Sequence, residues 1–261
     1  MNSPLKTRDL AIGYKGKPIV SGLNLSLPKK IVTALIGRNG AGKSTLIKTL
    51  TGFLPPVKGE ILVEGKNILQ YSRKELSKII SLVSTDPHSA GGLRLRELVS
   101  LGRIPYTGRM GILSGEDKEK INRALETLRL DHKAESFVSD LSDGERQRGM
   151  IARGLVQETP IIILDEPFAF LDVAARLEIT DMISSLAKEE DKAILFSTHE
   201  VGEALKNVEN VWMFISGKEK GEEEVVEGTP EELISQGSLD LLFPDSNVTF
   251  DKTLKEFKIK K

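Results

Sequence analysis

The sequence predicts an α/β fold on a mostly parallel sheet, with an antiparallel β-subdomain at the N-terminal side and an inserted α-helical subdomain. Three observations predict it. Apolar runs without alternation recur at Ile31–Ile36, Ile161–Leu164, Ala193–Phe196 and Val211–Ile215, the pattern of parallel strands covered on both faces. A glycine-rich loop separates the first run from a helical pattern, so a strand enters it and a helix leaves it. From residue 85 the strand runs stop, and helical patterns with polar faces take over. The 261 residues suffice for one domain over 1–261, with a helical subdomain inserted at about 85–155 and a C-terminal extension at about 228–261.

Each element follows from its residues. Leu5 to Ile12 and Ile19 to Leu27 read as two strands joined by the turn Gly13-Tyr14-Lys15-Gly16-Lys17. After the glycine-rich loop, Leu46, Ile47 and Leu50 fall at helical spacing. Pro55 to Gly59 is a turn before the strand Glu60–Val63, Ser72 to Glu75 is a capping box opening a short helix, and Ile79–Val83 is a further strand. Arg94 to Leu101 reads as a helix, and a second begins at Ser114 with Ile121, Leu125 and Leu128 on one stripe. A helix over Gly144 to Val156 precedes the next apolar strand, and Thr229-Pro230-Glu231-Glu232 starts a late helix with Pro at its first position. The tail from Lys252 to Lys261 holds five lysines and reads as a solvated end rather than a lipid contact.

Composition narrows the function. The net charge of −1 provides no basic field for nucleic acid, so no nucleic-acid partner is expected. Cys is absent, which excludes disulfides and thiolate metal sites and suits a reducing cytosol. Asn2 to Lys6 has no apolar signal core, and no run approaches the ~20 apolar residues of a membrane helix.

Residues Gly37-Arg38-Asn39-Gly40-Ala41-Gly42-Lys43-Ser44-Thr45 match the phosphate-binding pattern Gly-x4-Gly-Lys-Ser/Thr in full. Glycines let successive N–H groups point into one concavity. Lys43 can reach the β and γ phosphates, and Ser44 can offer its hydroxyl to Mg²⁺. Asp165 and Glu166 follow a buried strand, at the end where parallel sheets bind ligands. Asp165 suits Mg²⁺, directly or through water, and Glu166 suits the general base that polarises an attacking water.

Leu141-Ser142-Asp143-Gly144-Glu145-Arg146-Gln147-Arg148 has capping-box spacing and a helix whose positive end points outward. It resembles the Leu-Ser-Gly-Gly-Gln signature of ATP-binding-cassette (ABC) ATPases, with Asp third and Glu fifth. The resemblance covers most of residues 5 to 230. It implies that Ser142, Gly144 and Glu145 reach the γ-phosphate held by a second, head-to-tail copy. Asp172, in Ala169-Phe170-Leu171-Asp172, resembles the loop residue that bridges that dimer. His199 resembles the switch histidine on the γ-phosphate, and Tyr14 the aromatic that stacks on adenine.

The segment Gly102-Arg103-Ile104-Pro105-Tyr106, by itself a loop with a Pro-Tyr turn, resembles one common in ATPase subunits of importers for iron–siderophore, haem and cobalamin chelates. Two departures stand out. The family's Mg²⁺-contacting glutamine is replaced by Thr85, followed by Asp86, and Phe168 stands where Thr or Ser is usual. The resemblance implies an ATP-hydrolysing importer subunit, peripheral on the cytoplasmic face of the membrane. It would dock through residues 85 to 140 on integral permease subunits fed by a substrate-binding protein. Two alternatives stay open: a soluble ABC ATPase of DNA repair, translation or iron–sulfur assembly, and a regulator that binds nucleotide without hydrolysis.

Overall fold

The computed structural model describes residues 3–84, 92–108, 110–169, 171–217, 223–244, 246–252, 254 and 256–259. In chain order the elements are β1 (Leu5–Tyr14), β2 (Lys17–Leu23), β3 (Ser26–Leu27), β4 (Val32–Ile36), α1 (Lys43–Leu50), β5 (Lys58–Val63), β6 (Lys66–Asn67), α2 (Arg73–Leu76) and β7 (Ile80–Ser84). Then come α3 (Leu95–Ser100), α4 (Gly115–Thr127), α5 (Asp143–Leu155), β8 (Ile161–Asp165), α6 (Val173–Glu189), β9 (Ala193–Thr198), α7 (Val201–Asn207) and β10 (Asn210–Ser216). β11 (Glu223–Gly228), α8 (Pro230–Gln236), β12 (Val248–Asp251) and β13 (Glu256–Ile259) follow.

The central sheet runs β11-β10-β4-β9-β8-β7. It is parallel throughout except for β11, which returns antiparallel along β10. Its five parallel strands lack hydrophobic alternation because both of their faces are largely buried. Val32, Ala34 and Ile36 of β4, with Ile162, Leu164, Ile194 and Phe196, join the core shared with α3 to α6. Leu35, Ile161, Ile163, Leu195, Trp212 and Phe214 face the other way, onto α1 and the N-terminal sheet.

That N-terminal sheet is antiparallel, in the order β2-β1-β5-β6 with β3 on β1. Two expectations need correction here. The first turn is two residues, not five: Lys15 (φ 50°) and Gly16 (φ 75°) are both left-handed, and Tyr14 already pairs with Lys17. This tight hairpin matches the twist of its strands. The expected strand from Ile19 to Leu27 is broken between β2 and β3. The Thr7 hydroxyl bridges the break, donating to the Leu23 carbonyl at 2.8 Å and accepting from the Leu25 N–H at 2.8 Å.

The Pro-Tyr segment is a turn that leaves Ile104 and Tyr106 exposed, but the residues just before it are anchored in the interior. Leu101–Arg103 is a 3₁₀ turn and Arg103 is buried. Its Nε donates to Asp117 Oδ1 at 2.7 Å, and Nη1 donates to the Val156 carbonyl at 2.8 Å and to Glu158 Oε2 at 2.9 Å. The guanidinium lies 4.0 Å from the Tyr106 ring centroid. A Cβ on Gly102 would come within 2.2 Å of the Arg153 carbonyl oxygen, so only glycine lets the turn lie against α5. One side chain thus ties the start of α4 to the end of α5.

Removing one partner of a buried ion pair strands the other, so Arg103→Ala should cost about 3 kcal/mol in urea unfolding. The Ser114 hydroxyl and N–H, then Arg103, hold the Asp117 carboxyl at about 2, below its ordinary 3.8. A lowered folded value stabilises above the unfolded one and is lost on acidification. The stability gap between wild type and Asp117→Asn should therefore be full above pH 4 and shrink from there toward pH 2. A gap independent of pH would count against this latch.

Candidate functional site

The phosphate loop lies between β4 and α1. Gly40 (φ 84°) and Gly42 (φ 114°) adopt left-handed backbone that other residues rarely take. Lys43 is buried, and its Nζ donates to the carbonyls of Gly37 at 2.8 Å and Arg38 at 3.2 Å. Burial holds this ammonium below the ordinary lysine value, and the charges of Glu166 and Asp165 oppose the shift. The lysine, the glycine curl and both carboxylates therefore belong to one electrostatic site. Neither a side-chain cap nor a first-turn acid closes the start of α1, whose N–H groups and dipole favour an anion.

The carboxylates sit at the end of β8. Ser197, buried on β9, donates its hydroxyl to Asp165 Oδ1 at 2.6 Å and accepts the Glu166 N–H at 2.8 Å. Glu166 leaves the strand with φ 51°, and its Oε2 is 3.0 Å from Nδ1 of His199. Ser197 carries this geometry; in the sequence it opens Ser197-Thr198-His199-Glu200, after the apolar run Ala193–Phe196, and nothing local assigns it a role of its own.

Tyr14, half exposed at the end of β1, has its hydroxyl 3.3 Å from Thr45 Oγ1, beside the phosphate loop. The Arg38 guanidinium turns away from that loop's lysine, to Ser216 and Glu223. The signature residues lie elsewhere. Ser142 caps α5, and its N–H and hydroxyl both donate to Glu145 Oε2, at 2.9 and 3.0 Å. The Ser142 N–H and hydroxyl, aided by Lys133, hold the Glu145 carboxyl below its usual range. A Cβ on Gly144 would be 3.1 Å from Ala175 of α6. Asp172 caps α6, accepting the Ala175 N–H at 2.8 Å. Phe168 is buried edge-on against Phe196, with centroids 5.1 Å apart. Thr85 and Asp86 lie outside the described residues.

Among the described residues no three His, Cys, Asp or Glu side chains form a metal-binding group. The oxygens of Asp165 and Ser44 are donors of the kind that a hard cation such as Mg²⁺ takes.

Comparisons with known proteins agree with this geometry. The family model described as ABC transporter matches residues 20–169. The iron(3+)-hydroxamate import ATP-binding protein of Bacillus subtilis (strain 168) is 40% identical over 206 residues, 79% of this chain and 76% of that protein. The ferric enterobactin transport ATP-binding protein of Escherichia coli (strain K12) is 30% identical over 239 residues, 92% of this chain and 86% of that protein. Among solved structures, cbiO1 from Clostridium perfringens, part of the ABC transporter complex cbiONQ, matches with TM-score 0.78 and 29% identity, covering 94% of this chain and 97% of that one. A phosphate loop, paired carboxylates and a histidine at one sheet end, with these relatives over most of the length, make the chain a member of the ABC transporter family, one of its ATP-binding subunits.

Proposed function

We propose that this chain hydrolyses ATP between two head-to-tail copies and so energises import of an iron–siderophore or related metal chelate. The observation that carries the chemistry is the 3.0 Å contact of His199 with Glu166, beside the buried Lys43. Catalysis of this kind is mostly positioning and charge stabilisation. Lys43 offsets charge on the β and γ phosphates. Glu166 orients the attacking water and accepts its proton. With Nδ1 on Glu166, Nε2 of His199 is the ring atom left for a γ-phosphate oxygen. Ser44 and Asp165 would hold Mg²⁺, which supplies further charge neutralisation on the phosphates. Tyr14 stacks on adenine, and Ser142, Gly144 and Glu145 of one copy meet the γ-phosphate bound by the other, with Asp172 at the dimer seam.

The importer reading draws on the relatives named for iron chelates. It also draws on the segment between α3 and α4, where Ile104, Met110 and Ile112 expose 61%, 84% and 70% of their surface. Such side chains suit a membrane permease partner. No helix among the described residues is long and apolar enough to cross a membrane, so the transport path belongs to that partner. The subunit would act at the cytoplasmic face of the membrane, with a substrate-binding protein delivering the cargo.

Glu166→Gln should keep ATP binding, lower phosphate release at least a hundredfold and let ATP trap a dimer visible by gel filtration. Turnover at the wild-type rate would remove Glu166 as the base. Ser142→Arg should bind ATP normally yet neither dimerise nor hydrolyse, and normal hydrolysis would refute the shared site. Ser197→Ala should slow hydrolysis at least tenfold with ATP affinity retained, because it frees both carboxylate residues from their common anchor. An unchanged rate would mean that Ser197 serves packing only.

A further inference from the structure

The phosphate loop is held from outside by a hairpin that no nucleotide motif includes. Met213 of β10 pairs with Ile36 of β4, which brings Phe214 under the first residues of the loop. A Cβ on Gly37 would lie 2.7 Å from Phe214 Cβ, and one on Gly42 would lie 3.3 Å from its Cε1, so the ring fills the floor of the curl. Two residues further, Ser216 faces Glu223 directly across the β10–β11 ladder. Arg38 Nη2 donates to both, at 3.1 Å to Ser216 Oγ and 2.8 Å to Glu223 Oε1. The carbonyl of the same Arg38 accepts from Lys43 Nζ at 3.2 Å and from the Ala41 N–H at 3.2 Å. Arg38 therefore joins the inside of the loop to the sheet edge, 185 residues away in sequence.

A loop with glycines at 37, 40 and 42 has much backbone freedom to lose when phosphates order it. A charge-assisted anchor at Arg38 removes part of that freedom before the nucleotide arrives. We propose that Glu223, with Ser216, is a positioning residue for the phosphate loop and sets its affinity for a nucleoside triphosphate through Arg38. This rests on the reading that the loop binds ATP. The rival arrangement has Arg38 contacting phosphate itself, with Glu223 as a competitor for it.

The test is steady-state hydrolysis and a nucleotide titration with ATP on wild type, Glu223→Gln, Arg38→Ala, Arg38→Lys and the double variant Glu223→Gln/Arg38→Ala. Loss of one charge-assisted hydrogen bond should raise KM and Kd for ATP about five- to tenfold in Glu223→Gln and in Arg38→Ala, with kcat within about twofold. The double variant should be no worse than Arg38→Ala, and Arg38→Lys should recover part of the loss. Unchanged or tighter binding in Glu223→Gln, or effects that multiply in the double variant, would overturn the proposal. Lys43→Ala separates this from failure of the underlying reading. If Lys43→Ala weakens ATP binding while Glu223→Gln is silent, only the anchor falls. If Lys43→Ala binds ATP normally, the loop is not the ATP site and both fall.

Discussion

The pairing of Ile36 with Thr198 and of Leu164 with Phe196 places β4, β9 and β8 in one register. Because these strands are parallel, the residues that follow them leave the sheet together. Gly37 opens the phosphate loop, Asp165 and Glu166 follow Leu164, and His199 follows Thr198. A slip of one residue along any strand would turn its buried residues to the opposite core, since Ile162 and Leu164 pack on one face and Ile161 and Ile163 on the other. Two-sided burial thus fixes the register, and the register sets the level at which the chemical groups emerge. Ser197 then makes the last adjustment, joining the Asp165 carboxylate to the Glu166 backbone across neighbouring strands.

The helix ends show a complementary constraint. α2, α4, α5 and α8 each close their own start with a capping box. α1 does not, and its N–H groups are left for an anion from outside the chain. α5 is intermediate. Its start faces outward, yet the Glu145 carboxylate already accepts from Ser142, and Lys133 lies 3.3 Å from that carboxylate. A phosphate approaching α5 therefore meets a compensated charge pair rather than a bare dipole. The two ends therefore differ in kind: the start of α1 has no acid or side-chain cap of its own, whereas the start of α5 is already compensated by Glu145 and Lys133.

Local signals were legible in the sequence, and long-range ones were not. The phosphate loop, the caps at Ser72, Ser114, Ser142 and Thr229, and the doubly buried strands each depend on residues close in sequence, so pattern alone locates them. The sequence shows no anchor at Arg103 because its partners, Asp117, Val156 and Glu158, lie 14 to 55 residues away. The roles of Ser197 and Glu223 are illegible in sequence for the same reason, since their partners Asp165 and Arg38 are 32 and 185 residues distant. The break between β2 and β3 has no local signal because the Thr7 hydroxyl that bridges it sits on another strand. In each case a polar side chain serves a backbone or a charge that only folding brings near.

Phe168 shows how an unusual residue type fits this scheme. Glu166 is held in left-handed backbone, φ 51°, which costs a non-glycine residue on the order of 1 kcal/mol and persists only if its neighbours fix it. Ser197 fixes it from one side. From the other, the chain turns back so that the Ala169 N–H donates to the Glu166 carbonyl at 3.2 Å, and Phe168 enters the core edge-on to Phe196. Phe196 is the residue just before Ser197. The aromatic contact and the serine hydrogen bonds therefore grip adjacent residues of β9, and together they clamp the turn that carries Glu166. A small hydroxyl side chain at position 168 could add a hydrogen bond but not this buried area. In this chain the orientation of the carboxylate beside His199 thus rests partly on hydrophobic packing, and the polar network at the sheet end is steadied by the core beneath it.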